Sequence, residues 1–374
     1  MRRVVAMAAL IGLVVTTPAR ADETTGTWTG ALELQANYYW ETSTRVVAPS
    51  VRARLTSPEG VDLHAEYLVD AITSASVAAG LQTDRRFTEV RNQVTAGFGR
   101  ELDLGEAQLR LDLSGRVSHE PDYLATGITL SGALSMAQRC STLGVSLTYI
   151  HDDVGRVLRG AVDTPLSDRG RVGQLEGVAL GLSFSQILTE WAVASVGYDV
   201  VHNWGFLANP YRQVMIAGTP RPEDHPDQRT RNSLHGRLAL FVPQSRTAVH
   251  FLYRVYFDEW DVAALTPELR VYQELGDAIT VRLRYRYYAQ TRSFFYALPE
   301  TYGADAQFVT ADPKMSEFES HLLGVHARLQ LDFLGGSFLD FLSEGQFWLS
   351  FDYWMQTSRF GDGVIAQSAL SVPF

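Results

Sequence analysis

The chain has 374 residues, 46% of them hydrophobic and 20% charged, a balance that excludes both a disordered polymer and a bundle of apolar membrane helices. Its 32 basic residues against 42 acidic ones leave a formal charge of -10, which argues against a nucleic-acid partner. In chain order the first element is an export signal. Arg2 and Arg3 make a positive start, Val4 to Val15 is an apolar run, and Ala19-Arg20-Ala21 has the small-x-small form of a cleavage site. A run this short falls below the roughly 18 residues of a spanning helix, so residues 1–21 are expected to be removed and 22–374 to fold as a single domain. Cys140 is the only cysteine and lies far from the cleavage site, so neither a disulfide nor a lipid-modified N-terminal cysteine is available.

Beyond the signal, apolar and polar residues alternate with the two-residue period of a strand. Trp28 to Trp40, Val61 to Val69, Ala107 to Val117 and Leu143 to Tyr149 keep this period. Later, Val249, Phe251, Tyr253, Val255 and Phe257 alternate with His250, Arg254 and Asp258; Ile279 to Tyr287 alternates with Arg282, Arg284 and Arg286; and Leu323 to Phe333 alternates with His326, Arg328 and Asp332. A soluble sandwich alternates too, but these runs reach about 10 to 14 residues, the length of tilted strands that cross a bilayer.

The connections come in two kinds. Short ones fall at Ser57 to Gly60, Glu101 to Gly105, Gln138 to Ser141, Leu188-Thr189, Pro243 to Ser245 and Leu275 to Asp277; long polar ones fall at Ala71 to Arg86, Asp153 to Gly173, Asn203 to Thr230 and Thr291 to Lys314. Short turns at one end and long loops at the other predict an all-β fold, a transmembrane antiparallel β-barrel of about 16 strands in a Gram-negative outer membrane, with both termini in the periplasm. Trp28, Tyr38, Trp40, Trp191, Tyr198, Trp260, Tyr287, Phe347 and Tyr353 lie near strand ends, where amphipathic rings favour the headgroup layer. Leu370, Val372 and the terminal Phe374 share one face, a pattern similar to the C-terminal signal read by the outer-membrane insertion machinery, which is therefore an expected partner beside lipid and lipopolysaccharide.

Several longer motifs add to this. Asn209-Pro210-Tyr211-Arg212, Pro226 to Arg231, Tyr253 to Trp260, Arg284 to Gln290 and Phe294-Phe295-Tyr296 resemble a family of proteobacterial proteins catalogued as domain of unknown function 3570. The resemblance covers most of the chain after the signal. It implies an outer-membrane barrel, carries over no catalytic or binding residue, and hints at a link to periplasmic redox and flavin-attachment proteins.

Charge on a lipid-facing position at mid-depth costs about 2 to 4 kcal/mol, so the charged residues of these strands are expected inside. Arg282, Arg284 and Arg286 would form a row of guanidinium groups, joined in the lumen by His64, Glu66, His250, Arg254, Asp258, Arg328 and Asp332. Two readings stand side by side: a charged constriction that sorts solutes by sign, or a ladder of salt bridges that holds a structural barrel shut. Thr291 to Lys314 carries Phe294, Phe295, Tyr296, Tyr302 and Phe308, too apolar for a loop bathed in water. Phe294, Phe295 and Tyr296 are the candidate constriction, packed against groups such as Arg254 or Tyr288, or else a surface for a partner.

Enzyme chemistry has little to stand on. There is no Gly-x-Ser-x-Gly elbow, no His-Glu-x-x-His pair and no Gly-rich phosphate loop; no cofactor is expected. His151-Asp152-Asp153 and His119-Glu120-Pro121-Asp122 could hold a divalent cation through oxygen ligands, against the blander reading of solvated loop residues. The expected function is a porin-like passive channel for small polar or anionic solutes. The alternative is a structural or partner-binding barrel that scaffolds an envelope complex through a periplasmic partner.

Overall fold

The structure is a computed structural model, and it describes residues 27–42, 44–75, 86–155, 171–298 and 301–374. The expected signal at 1–21 lies outside them. Sixteen of the eighteen strands close into one antiparallel barrel, and the other two form a small hairpin. The barrel strands are β1 (Thr29–Glu41), β2 (Thr44–Thr56), β3 (Val61–Ala75), β4 (Arg86–Asp103), β5 (Gln108–Glu120), β6 (Tyr123–Met136), β7 (Ser141–Gly155), β8 (Arg171–Thr189), β9 (Ala192–Gly205), β12 (Gln228–Val242), β13 (Thr247–Asp258), β14 (Ala263–Leu275), β15 (Ile279–Gln290), β16 (Phe318–Gln330), β17 (Gln346–Gln356) and β18 (Gly363–Pro373). The hairpin is β10 (Gln213–Ile216) and β11 (Thr219–Pro222), carried by the connection between β9 and β12.

The alternation predicts this wall because each face meets a different solvent. Leu283 and Tyr285 of β15, Phe251 and Tyr253 of β13 and Val94 and Phe98 of β4 stand exposed on the outside, where hydrocarbon accepts them, while the residues between them face the lumen. Closure pairs β1 with β18, with Gln35 opposite Ala369 and Tyr39 opposite Ile365. Every barrel strand thereby has two neighbours, so no backbone edge is left to meet lipid. Phe374 completes the seam: its N–H donates to the Gly30 carbonyl at 2.9 Å, and the Gly30 N–H donates to the Phe374 carbonyl at 2.6 Å.

Both termini share one end with the connections 57–60, 104–107, 137–140, 190–191, 243–246 and 276–278. The β8–β9 turn comes two residues later than the predicted Leu188-Thr189, since β8 runs to Thr189 across a register shift between Ile187 and Thr189. Of the predicted long connections, Ala71 to Arg86 and Asp153 to Gly173 give way at their ends to β3, β4, β7 and β8, and 76–85 and 156–170 lie outside the described residues.

One connection breaks the expected asymmetry. The run predicted to continue through Phe333 stops at Gln330, and 331–345 joins β16 to β17 through two 3-10 turns, Asp332–Leu334 and Asp340–Leu342. Asp332, expected to line the lumen, instead begins the first of these turns and is exposed. Its local sequence keeps the alternation, but Gly335-Gly336 supplies a reversal, with Gly336 at φ 73°, and the Gly336 N–H donates to Asp340 Oδ1 at 2.7 Å. Phe338 in this loop is 90% exposed.

Single buried apolar residues such as Val154 and Leu322 lie in the wall, but among the described residues those that pack into clusters are Val214, Ile216 and Val309, and Trp260, Phe295 and Met315; both clusters draw on the connections at the end opposite the termini. Trp260, expected in a headgroup girdle, is buried here.

Candidate functional site: the lumen wall and the two joined loops

The lumen wall is built from ion pairs whose reach is set by the register. Arg284 on β15, Gly324 on β16 and Asp352 on β17 are direct partners along one row. The guanidinium crosses the middle strand to hold Asp352 in a fork, Nε to Oδ1 at 2.8 Å and Nη2 to Oδ2 at 2.6 Å. Glycine makes the crossing possible, because a Cβ at position 324 would stand 1.9 Å from Asp352 Oδ1. The same device recurs on β4: Arg110 of β5 reaches Asp62 of β3 at 2.6 Å, and a Cβ at the intervening Gly99 would lie 2.9 Å from Asp112. Replacing Gly324 by valine is therefore expected to break the Arg284–Asp352 pair and destabilise the barrel by about 3 to 5 kcal/mol. A denaturant midpoint in lipid vesicles equal to that of the parent protein would contradict this.

The predicted lumenal residues separate into paired and unpaired groups. Glu66 shares Arg52 with Glu33, at 3.0 Å and 3.3 Å, and His64 Nδ1 lies 3.7 Å from Asp112. Asp258 is buried, pairs with Arg229, and accepts the backbone N–H of Trp260 at 2.9 Å and of Val262 at 3.0 Å. The His250 ring packs 4.7 Å from Tyr272 and is opposite Arg270 in register. Arg328 reaches only Thr280, at 3.4 Å. Of the row Arg282, Arg284 and Arg286, only Arg284 is neutralised by a fork.

This yields an uneven lumen. On β12 to β17, the lumenal carboxylates Asp258, Glu268 and Asp352 are each taken, by Arg229, Arg270 and Arg284. Arg237, Arg254, Arg282, Arg286 and Arg328 on the same arc have no carboxylate at ion-pair distance among the described residues, and Nε of Arg237 and of Arg282 is buried without a hydrogen-bond partner. On the opposite arc, β1 to β5, Arg52, Arg54, Arg91 and Arg110 are paired with Glu33, Glu66, Asp62 and Asp70, while Arg116 of β5 joins no ion pair among the described residues. Between the arcs, β7 to β9 present small residues such as Ser146, Gly181, Ser183 and Ser195.

At the loop end, 206–227 and the described parts of 291–317 are folded onto one another. Asp224 and Val309 exchange backbone hydrogen bonds of 3.0 Å and 2.9 Å, and Arg221 donates to the carbonyls of Ala306 at 2.6 Å and Gln307 at 3.1 Å. Beneath them Arg212 is buried between Glu223, at 3.2 Å, and Asp312, at 2.8 Å. Burial opposes the Arg212 charge, but Asp312 and Glu223 outweigh it and hold its pKa above the ordinary value. His225 Nε2 lies 2.5 Å from Glu223 on its other side. The hydroxyl of Tyr302 ties the second loop internally, donating toward the carbonyls of Phe295 and Thr310 and accepting the N–H of Ala297.

The predicted aromatic triplet sits in this assembly, against other partners than expected. Phe295 is buried against Trp260, at 5.1 Å between ring centroids, and against His225, at 5.2 Å. Tyr296 flanks that cluster, and Phe294 is half-exposed. Arg254 and Tyr288 are not their partners; Tyr288 packs on Phe318, and the cation beside the cluster is Arg229, 4.1 Å over the Trp260 ring. Tyr211 of the first loop also donates to Asp122 in the β5–β6 turn, which carries the joined loops to a distant part of the rim. Nothing in the local sequence marks Arg212, Glu223 and His225 as a unit, because the carboxylate that completes it, Asp312, comes from the other long connection.

The cation candidates do not assemble. His151 pairs with Glu176 at 3.1 Å, Asp152 accepts from Tyr123, and Asp122 accepts from Tyr211. Among the described residues no group of three or more His, Cys, Asp or Glu is placed to hold a metal ion.

Among solved structures, a bacterial polysaccharide outer membrane secretin aligns with 92% of this chain and 98% of its own at a TM-score of 0.50 and 10% identity. At that identity the likeness is one of fold. A BenF-like porin from Pseudomonas fluorescens Pf-5 aligns with 93% of this chain and 98% of its own at 0.46 and 8% identity, and the outer membrane protein OprD from Pseudomonas aeruginosa with 94% and 95% at 0.45 and 10%. No curated protein matches the chain. Residues 74–371 match the family model described as a protein of unknown function, DUF3570, and with most of its length inside that match this closed outer-membrane-type barrel belongs to the DUF3570 family.

Proposed function

We propose that this barrel is a passive channel for small polar or anionic solutes across a Gram-negative outer membrane. The observation that carries the reading is the arc from β12 to β16, where Arg237, Arg254, Arg282, Arg286 and Arg328 face the lumen without carboxylates of their own. Fixed guanidinium groups along a water-filled passage raise the local concentration of anions and repel cations. On the opposite arc Arg52, Arg54, Arg91 and Arg110 are neutralised in pairs and add little to that field. In this reading the export signal at 1–21 delivers the chain to the periplasm, Phe374 presents the closing strand to the insertion machinery, and the long loops face lipopolysaccharide. The joined loops, with Phe294, Phe295 and Tyr296, act as the constriction.

The arginines to test are those that carry free charge. Changing Arg282 and Arg286 to glutamine together is expected to move the reversal potential in a salt gradient toward non-selectivity, while Arg284, already neutralised by Asp352, is left to hold the wall. An unchanged reversal potential in a planar bilayer would remove these residues from the selectivity account.

A second reading, a barrel that binds a periplasmic partner, is favoured by one feature. The 331–345 connection exposes Phe333, Phe338 and Phe341 at the end that carries the termini. A sealed lumen without conductance, together with a co-purifying protein lost on deleting that loop, would favour it over the channel.

A further inference from the structure

The unpaired arginines are not evenly spread along the lumen. Arg282 of β15 is the direct cross-strand partner of His326 on β16, and Arg328, two residues further along β16, is the partner of Thr280 on one side and Trp348 on the other. Adjacent and diagonal positions of this kind lie about 5 to 8 Å apart at Cβ, a gap that a carboxylate or phosphate group spans. The His326 ring is 5.4 Å from the Trp348 ring, tilted by 33°, and the Tyr272 position on β14 flanks Arg282 from the other side. Arg284, one row toward the loop end, is committed to Asp352 and closes the cluster there. No carboxylate is paired with Arg282 or Arg328 among the described residues; Arg282 Nε is buried without a partner, whereas Arg328 is exposed to the lumen. A desolvated donor left unmet beside a solvated cation is what a wall looks like where the matching acceptor arrives from solution.

We infer that Arg282 and Arg328, diagonal neighbours on β15 and β16 flanked by His326 and by Trp348 of β17, form a discrete lumenal binding site for a small oxyanion, a carboxylate or phosphate gripped by the two guanidinium groups with its remainder against the Trp348 ring. The site deepens the channel reading by giving the anion a stopping place near the end that carries the termini.

Binding can be read without conduction. Inorganic phosphate added to the purified full-length barrel in detergent should show saturable broadening of its phosphorus resonance, and acetate should compete it away if the site takes oxyanions in general. Each of Arg282→Gln and Arg328→Gln is expected to weaken phosphate by about tenfold, the worth of one charge-assisted contact. Neither change strands a buried carboxylate, so both proteins should still fold. The double lysine variant keeps the charge and loses the planar fork; it should also bind more weakly, whereas Arg52→Gln, a solvated and already paired arginine on the opposite arc, should bind as the parent does. Broadening that does not saturate, or that falls as much in Arg52→Gln as in Arg282→Gln, would show a diffuse field and overturn the site. Saturable binding in a protein that proves non-conducting would sink the channel and leave the site standing.

Discussion

Replacing Arg212 by methionine is expected to release the two long loops from each other and raise the single-channel current. In the parent, Glu223 and Asp312 are buried with that one guanidinium between them. Removing it leaves two carboxylates with their desolvation uncompensated, a loss of about 3 to 5 kcal/mol. What else joins the loops is the Asp224–Val309 backbone pair, the Arg221 bonds to the Ala306 and Gln307 carbonyls, the packing of Val214 and Ile216 on Val309 and that of His225 on Phe295, each smaller than that loss. Restoring neutrality with Glu223→Gln and Asp312→Asn in the same protein should return part of the closure. If the joined loops narrow the passage, current rises in the single variant and falls back in the triple one. An unchanged current, with the loops newly open to protease, would show that they fold together without limiting flow.

The second large effect concerns the wall. Arg284→Gln is expected to strand the Asp352 carboxylate, which is 1% exposed, and to lower the denaturant midpoint of the barrel in lipid vesicles by the equivalent of about 3 to 5 kcal/mol. Adding Asp352→Asn should recover most of it, because two amides facing each other over Gly324 can hydrogen-bond without a buried charge. The comparison separates structure from selectivity: the fork should matter to stability and little to reversal potential, while the Arg282 and Arg286 pair should do the opposite. Equal midpoints for the single and double variants would mean that Asp352 finds another cation once Arg284 is gone.

The feature most open to misreading is the lumenal row of three arginines. Read along β15, Arg282, Arg284 and Arg286 are equivalent, each two residues from the next and each on the inward face. In the barrel they are not, because Arg284 meets a glycine on β16 and an aspartate on β17 at its own height, while Arg282 meets His326. The aromatic triplet shows the same limit. Its burial follows from composition, since rings in a long loop must leave water, but its partners Trp260 and Met315 are 35 and 20 residues from Phe295 in opposite directions, and nothing local names them.

What the sequence by itself determined was the architecture: strands crossing with a two-residue period, an even number of them, and the outward face of the apolar residues along the regular strands. These follow from one-dimensional physics, because every second side chain must suit hydrocarbon and each unpaired backbone group in lipid is costly. Only the tertiary structure decided which charges neutralise one another, that 206–227 and the described parts of 291–317 fold together, and that β16 stops before Asp332. Those outcomes depend on the height at which strands distant in sequence meet after closure, and on glycines such as Gly324 and Gly336 whose consequences appear only when their neighbours are in place.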